Sequence, residues 1–222
     1  HIADWIFCLV RTSSDTRKQE GISFLLIDMK TPGIEVRAIH SIDGEHHLNE
    51  VFFKDVRVPM TNRIGEEGKG WTIAKYLLSH ERTGIAGVPQ CKAIVQHMKQ
   101  VAASDPGLAG EHHVSRRIAE LEVDLVALEF TNLRALERAQ EGKPPGPESS
   151  GLKIKGTELQ QALAEFMVEM GGPSSLPWKA EAIGLPAYAG ATAHYNIGRA
   201  STIYGGTNEI QKNVLAKFAL AL

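Results

Sequence analysis

A glutamate stands at position 81 where helical spacing calls for a leucine. Ala74, Leu77, Leu78, Ile85 and Val88 form an apolar stripe, and the position three or four residues from its neighbours that completes it is Glu81. Carrying a charge into an apolar face is costly, so a carboxyl placed there is expected to have a raised pKa. It needs either a basic partner from another helix or a task that uses the shifted pKa, such as taking a proton. Arg82 is adjacent in sequence, but neighbours on a helix point in different directions, so it is not an easy partner.

A second stretch has the composition of an anion-holding turn. In Ile203-Tyr204-Gly205-Gly206-Thr207-Asn208-Glu209-Ile210-Gln211, two glycines precede Thr207, a good N-cap, and Ile210, Val214 and Phe218 then recur at helical spacing on the expected inner face of the helix. Amides at such a helix start attract phosphates, although the same pattern also describes a plain glycine turn before a capped helix. Glu209 complements the helix start and counts against direct phosphate contact at that point.

Two kinds of element position these stretches. From His1 to about Asn62 the pattern alternates, with strands expected at Trp5–Arg11, Ile22–Asp28, Ile34–Ile39 and Glu50–Phe53. Around Ile64-Gly65-Glu66-Glu67-Gly68-Lys69-Gly70 the period changes to 3.6, so a boundary is placed there, with domains at 1–62 and 63–222. Helices are expected at Trp71–Ala103, Glu111–Gln140 and Glu148–Met170, with a Gly/Pro break at Gly142–Pro147. Their inner stripes are Ile118, Leu121, Leu125, Leu128 and Leu136 on the second, and Leu159, Leu163, Phe166 and Met170 on the third. With the terminal helix they suit a four-helix bundle, so the fold class is α+β.

Composition narrows the partners. Of 222 residues, 24 are Lys or Arg and 26 are Asp or Glu, which leaves no basic excess for nucleic acid. Cys8 and Cys91 are too far apart for a metal knuckle or a disulfide framework, and a cytoplasmic setting is the simplest expectation. No apolar run is long enough for a membrane span. The chain begins at His1, just before a strand, and an N-terminal part is expected to precede it.

The string Ile203–Gln211 resembles the opening of the last helix in flavin-dependent acyl-CoA dehydrogenases, and Leu77-Leu78-Ser79-His80-Glu81-Arg82 resembles an earlier helix of the same family. Thr31-Pro32-Gly33-Ile34 and the segment Phe53–Pro59 are similar to its antiparallel β middle domain. The resemblance implies FAD as cofactor, an acyl-CoA substrate and an acceptor such as electron-transfer flavoprotein. By it, Tyr204, Gly206, Thr207 and Glu209 lie beside the FAD. The family's catalytic base occupies one of two places. Most members carry it directly after the Ile-Tyr pair, which here is Gly205; others carry it directly before the arginine of the earlier helix, which here is Glu81. Glu81 is thus the expected base, with Arg82 organising the pocket around it.

Two family elements are missing. Residues Lys99–Gly110 hold no Arg-x-x-Phe-Gly loop, and Val168 replaces the glutamine of Gln-x-x-Gly-Gly. In the family both reach the FAD of a neighbouring subunit, so the chain is expected to form a hetero-oligomer with a related subunit that donates them. The segments that face the flavin ring in the family precede Trp5, so residues 1–222 alone are expected to hold FAD weakly. A non-catalytic assembly subunit and an acyl-CoA oxidase share these residues and stay open as alternatives.

Overall fold

In the computed structural model, five strands among the described residues form two antiparallel sheets. β1 (Trp5–Arg11) pairs with β2 (Ile22–Asp28) from Trp5 opposite Asp28 to Arg11 opposite Ile22, while β3 (Ile34–His40) and β4 (His46–Phe53) form a separate hairpin. A short β5 (Arg63–Ile64) adds to the free edge of β2, giving the order β1-β2-β5. Buried Ser23 joins strand to loop, its Oγ lying 2.8 Å from Thr12 Oγ1 and accepting from the Gly68 amide at 2.9 Å. The structure describes residues 1–14, 17–143, 146–178 and 185–221, without the side chains of 79–83.

Among the described residues six α-helices follow: α1 (Gly70–Ile85), α2 (Val88–Ser104), α3 (His112–Gln140), α4 (Glu148–Gly171), α5 (Ala191–Gly198) and α6 (Asn208–Ala219). By its contacts the chain divides into two units, His1–Ser79 and His80–Leu222. In the second unit α4 packs against α2, α3, α5 and α6, and α2 against α3. The core it shares includes Cys91, Val95 and Met98 from α2, Leu121 and Leu125 from α3, and Leu152 and Leu163 from α4. This is an α+β chain with a helical bundle in its C-terminal part. No helix of the described residues is long and apolar enough to cross a membrane.

The single helix expected over Trp71–Ala103 is two helices. Pro89 has no N–H, and in a continuous helix its ring would press on the carbonyl of residue 85, so the chain must restart there. Gly87 makes the corner at φ +64, with Pro89 in the first turn of α2. Four further apolar residues expected inside lie outside. Leu78 and Leu136 are exposed, and so are Ile210 and Phe218 of α6, where Asn208 and Gln211 are buried instead.

Candidate functional site

The turn before α6 takes its shape from Gly205 at φ +65 and Gly206 at φ +83, a left-handed pair that side chains with a Cβ avoid. Thr207 then caps the helix, its Oγ1 accepting from the Ile210 amide at 3.3 Å. The Glu209 carboxylate is held below its usual range by its own backbone amide and the Thr207 hydroxyl, helped by Lys212 and Lys153. Two of the helix-start amides are therefore used by the chain itself. Tyr204 stands half exposed beside the turn.

Beneath the turn is a polar core that sequence reasoning did not find. Lys153 of α4 is fully buried, and its ammonium donates to Asn208 Oδ1 at 2.8 Å. Thr157 Oγ1, one turn along α4, lies 3.3 Å from the same oxygen, but its single proton has a shorter acceptor in the Lys153 carbonyl at 2.9 Å, so Lys153 is the donor that fixes the first residue of α6. Burial holds the Lys153 pKa below the ordinary lysine value, and the Glu209 charge acts in the opposite direction. Gln211, 1% exposed, aims Nε2 at Gly205 O over a long 3.5 Å, while its Oε1 finds no hydrogen-bond partner among the described residues. The signal for this core was Lys153 and Thr157, two polar residues at i, i+4 among the apolar residues of one helix.

The corner between α1 and α2 lies against the same turn. A Cβ built on Gly205 would sit 2.5 Å from Ile85 Cδ1, so the Ile85 side chain occupies the space that a side chain at 205 would need. On its other side the corner meets α4. A Cβ at Gly156 would lie 2.5 Å from Ala86 Cα, and Gln160 Nε2 donates to the carbonyls of Ile85 and Ala86 at 2.9 and 3.2 Å.

Glu81 and Arg82 belong to α1, with Glu81 one turn before Ile85. Their side chains lie outside the described residues. Gly206, Thr207 and Glu209 share one turn with Tyr204. Val168 falls near the end of α4, its carbonyl 3.1 Å from Ser175 Oγ, whose proton has a shorter acceptor in the Gly172 carbonyl at 2.7 Å. Residues 99–110 finish α2 and turn through Asp105, whose carboxylate accepts from buried Tyr188 at 3.2 Å. Open clefts of about 410 and 470 Å³ lie between α2 and α3 and between α3 and α4, and neither is lined by Ile85 or by residues 203–211.

Residues 68–220 match the family model for the C-terminal domain of acyl-CoA dehydrogenases. The chain is 32% identical over 223 residues to acyl-CoA dehydrogenase FadE34 of Mycobacterium tuberculosis (strain ATCC 25618 / H37Rv), covering 100% of this chain and 29% of that protein. Among solved structures, the Tcur3481–Tcur3483 steroid ACAD superposes with a TM-score of 0.90 at 22% identity, covering 100% of this chain and 57% of that one, which is a likeness of fold. The ChsE4–ChsE5 complex from Mycobacterium tuberculosis superposes at 0.83 with 26% identity, covering 99% of this chain and 57% of that one. The chain thus spans under a third of FadE34 and a little over half of the chains in these two structures.

Proposed function

The chain belongs to the acyl-CoA dehydrogenase family, and from that premise we propose that it carries out flavin-dependent α,β-dehydrogenation of an acyl-CoA thioester with Glu81 as the base. The observation that carries this reading is the pair Gly205 and Ile85. Gly205 stands where most of the family carries its glutamate, and Ile85 Cδ1 fills the space beside it. By the resemblance, Glu81 stands in the family's other place for the base, and its position one helical turn before Ile85 supports that reading.

The residues present fit a cofactor lying on the α6 turn. Gly205 and Gly206 put no side chain of their own on the turn, while Ile85 Cδ1 and Gln211 Nε2 take up the space their Cβ atoms would fill; Gln211 Oε1 has no hydrogen-bond partner among the described residues, and Lys153 holds the first residue of α6 from beneath. Tyr204, Gly206, Thr207 and Glu209 are the residues that would border it. Bound FAD supplies the two-electron acceptor for the hydride that leaves the β-carbon. Glu81 takes the α-proton as the Cα–Cβ double bond forms, with Arg82 ordering the pocket around the carboxylate. The resemblance of Ser79–Gly87 and Gly156–Gln161 to the large subunit of pimeloyl-CoA dehydrogenase favours a dicarboxylic or otherwise bulky acyl chain.

A related partner subunit is part of the proposal. Beyond its buried stripe, α3 exposes Val123, Val126, Phe130, Leu133 and Leu136 at helical spacing, and a helix apolar on two faces is one that packs on two sides. The similar ChsE4–ChsE5 structure is a complex of two proteins. A partner chain would supply the arginine loop and glutamine that residues 99–110 and Val168 do not. The visible spectrum of the full-length protein with its partner tests the function. Flavin absorbance that bleaches on adding an acyl-CoA supports the dehydrogenase, a species that re-oxidises in air with peroxide release supports the oxidase, and absence of flavin from every preparation contradicts both.

A further inference from the structure

Proline at position 89 leaves the carbonyl of Ile85 without its helical donor, because the amide four residues on is the one that proline lacks. A substitute comes from another helix. Gln160 Nε2 donates to Ile85 O at 2.9 Å and to Ala86 O at 3.2 Å, so one amide group serves both carbonyls at the corner. Ala86 is fully buried, and water has no ready access to replace that donor. Gly156, one turn before Gln160, makes the approach possible, since a Cβ there would lie 2.5 Å from Ala86 Cα and 2.6 Å from its carbonyl oxygen. From the opposite side Gly205 admits Ile85 Cδ1. α4 and the α6 turn therefore close on residues 85–87, the segment that ends the helix bearing Glu81.

We propose that Gln160 is a positioning residue for the Glu81 carboxylate. It fixes the last turn of α1 against α4 by supplying the donor that Pro89 withholds, so that the backbone of Glu81 is held relative to the Gly205–Thr207 turn. The inference rests on the reading of Glu81 as the base. The last turn of a helix is the part that frays when its carbonyls have no partners, and a displacement of about 1 Å at a reacting group can cost roughly 10²-fold in rate.

The test uses the full-length, flavin-loaded assembly in four forms: wild type, Glu81→Gln, Gln160→Met and the double variant, with Gln160→Lys as a form that keeps a donor of similar reach. Single-turnover flavin bleaching per bound flavin, KM, and amide hydrogen exchange over Ala86–Val88 are read for each. Gln160→Met is expected to slow bleaching about 10- to 100-fold at unchanged KM and flavin content, and to speed exchange at the corner. The double variant should be no slower than Glu81→Gln alone, and Gln160→Lys should recover most of the rate. Bleaching by Gln160→Met at the wild-type rate overturns the proposal, even if its melting temperature falls, because the role is then structural only. A double variant slower by the product of the single effects also overturns it, as does loss of flavin from Gln160→Met. Wild-type bleaching by Glu81→Gln has a different meaning: it removes the base assignment itself, whatever Gln160 does.

Discussion

Lys153 and Asn208, 55 residues apart in sequence, are joined by a 2.8 Å hydrogen bond in which a buried ammonium holds the first residue of α6. Removing the acceptor leaves a buried cation short of a partner, whereas removing the cation leaves a neutral acceptor, Asn208 Oδ1, with Thr157 Oγ1 3.3 Å away and able to turn its one proton to it from the Lys153 carbonyl. Asn208→Leu should therefore destabilise the protein by about 2–3 kcal/mol. Lys153→Met should cost less, about 1 kcal/mol, since it orphans a neutral acceptor rather than a buried charge. Urea melts of both variants and the double check this, and the double variant should regain part of the Asn208→Leu loss.

At the neighbouring turn, Gly205→Ala meets two obstacles, the left-handed φ of +65 and Ile85 Cδ1 2.5 Å from the new Cβ. The backbone conformation alone costs about 1–2 kcal/mol, and crowding adds to it. Adding Ile85→Ala should remove the crowding part and leave the backbone part. Thermal melts of the two Gly205→Ala forms, each against its own Gly205 parent, separate the terms. Equal penalties in the two backgrounds would contradict the packing at that corner.

Cys91 gives a pH prediction with a definite sign. Burial pushes its thiol from 9.0 up to about 11. Between those values the unfolded chain has lost a proton that the folded chain keeps, so stability is full below about pH 9 and falls as pH rises to about 11, by roughly 2–3 kcal/mol from this group. Cys91→Ala should flatten that part of the stability profile whatever it does to stability at pH 7. Urea melts between pH 8 and 11 read the slope, and an unchanged slope would contradict the burial argument.

The partner proposal predicts stoichiometry. If a related chain donates the missing loop and glutamine, the assembly should carry one FAD for each pair of unlike subunits. Native mass and flavin content of the full-length chain, purified alone and with its partner, decide it. A homotetramer with tightly bound FAD in every subunit would contradict the proposal.

What the sequence made legible follows from periodicity. The strands Trp5–Arg11 and Ile22–Asp28 and the stripe Leu159, Leu163, Phe166 and Met170 emerge where expected because alternation and the 3.6 repeat are local properties. Periodicity does not say which way a stripe faces. Ile210 and Phe218 repeat as an inner face should, yet α6 turns Asn208 and Gln211 inward, because α4 offers Lys153 and Thr157 at that contact. The break at Gly87 had a local signal in Pro89, overridden by the apolar pattern on both sides of it. The polar core under the turn had a weaker one, since its pairing joins residues 51 and 55 positions apart. Likewise the Gln160 clamp joins residues 74 and 75 apart.

The role of Glu81 is tested most directly by stopped-flow flavin bleaching in Glu81→Gln, using the full-length protein with bound FAD and an acyl-CoA that bleaches the wild type. Loss of a positioned general base typically costs about 10²–10⁴-fold in rate. The account predicts that the variant keeps its fold and flavin content, still binds the thioester, and bleaches slower by at least that factor. Bleaching at the wild-type rate, with flavin fully bound, would contradict it.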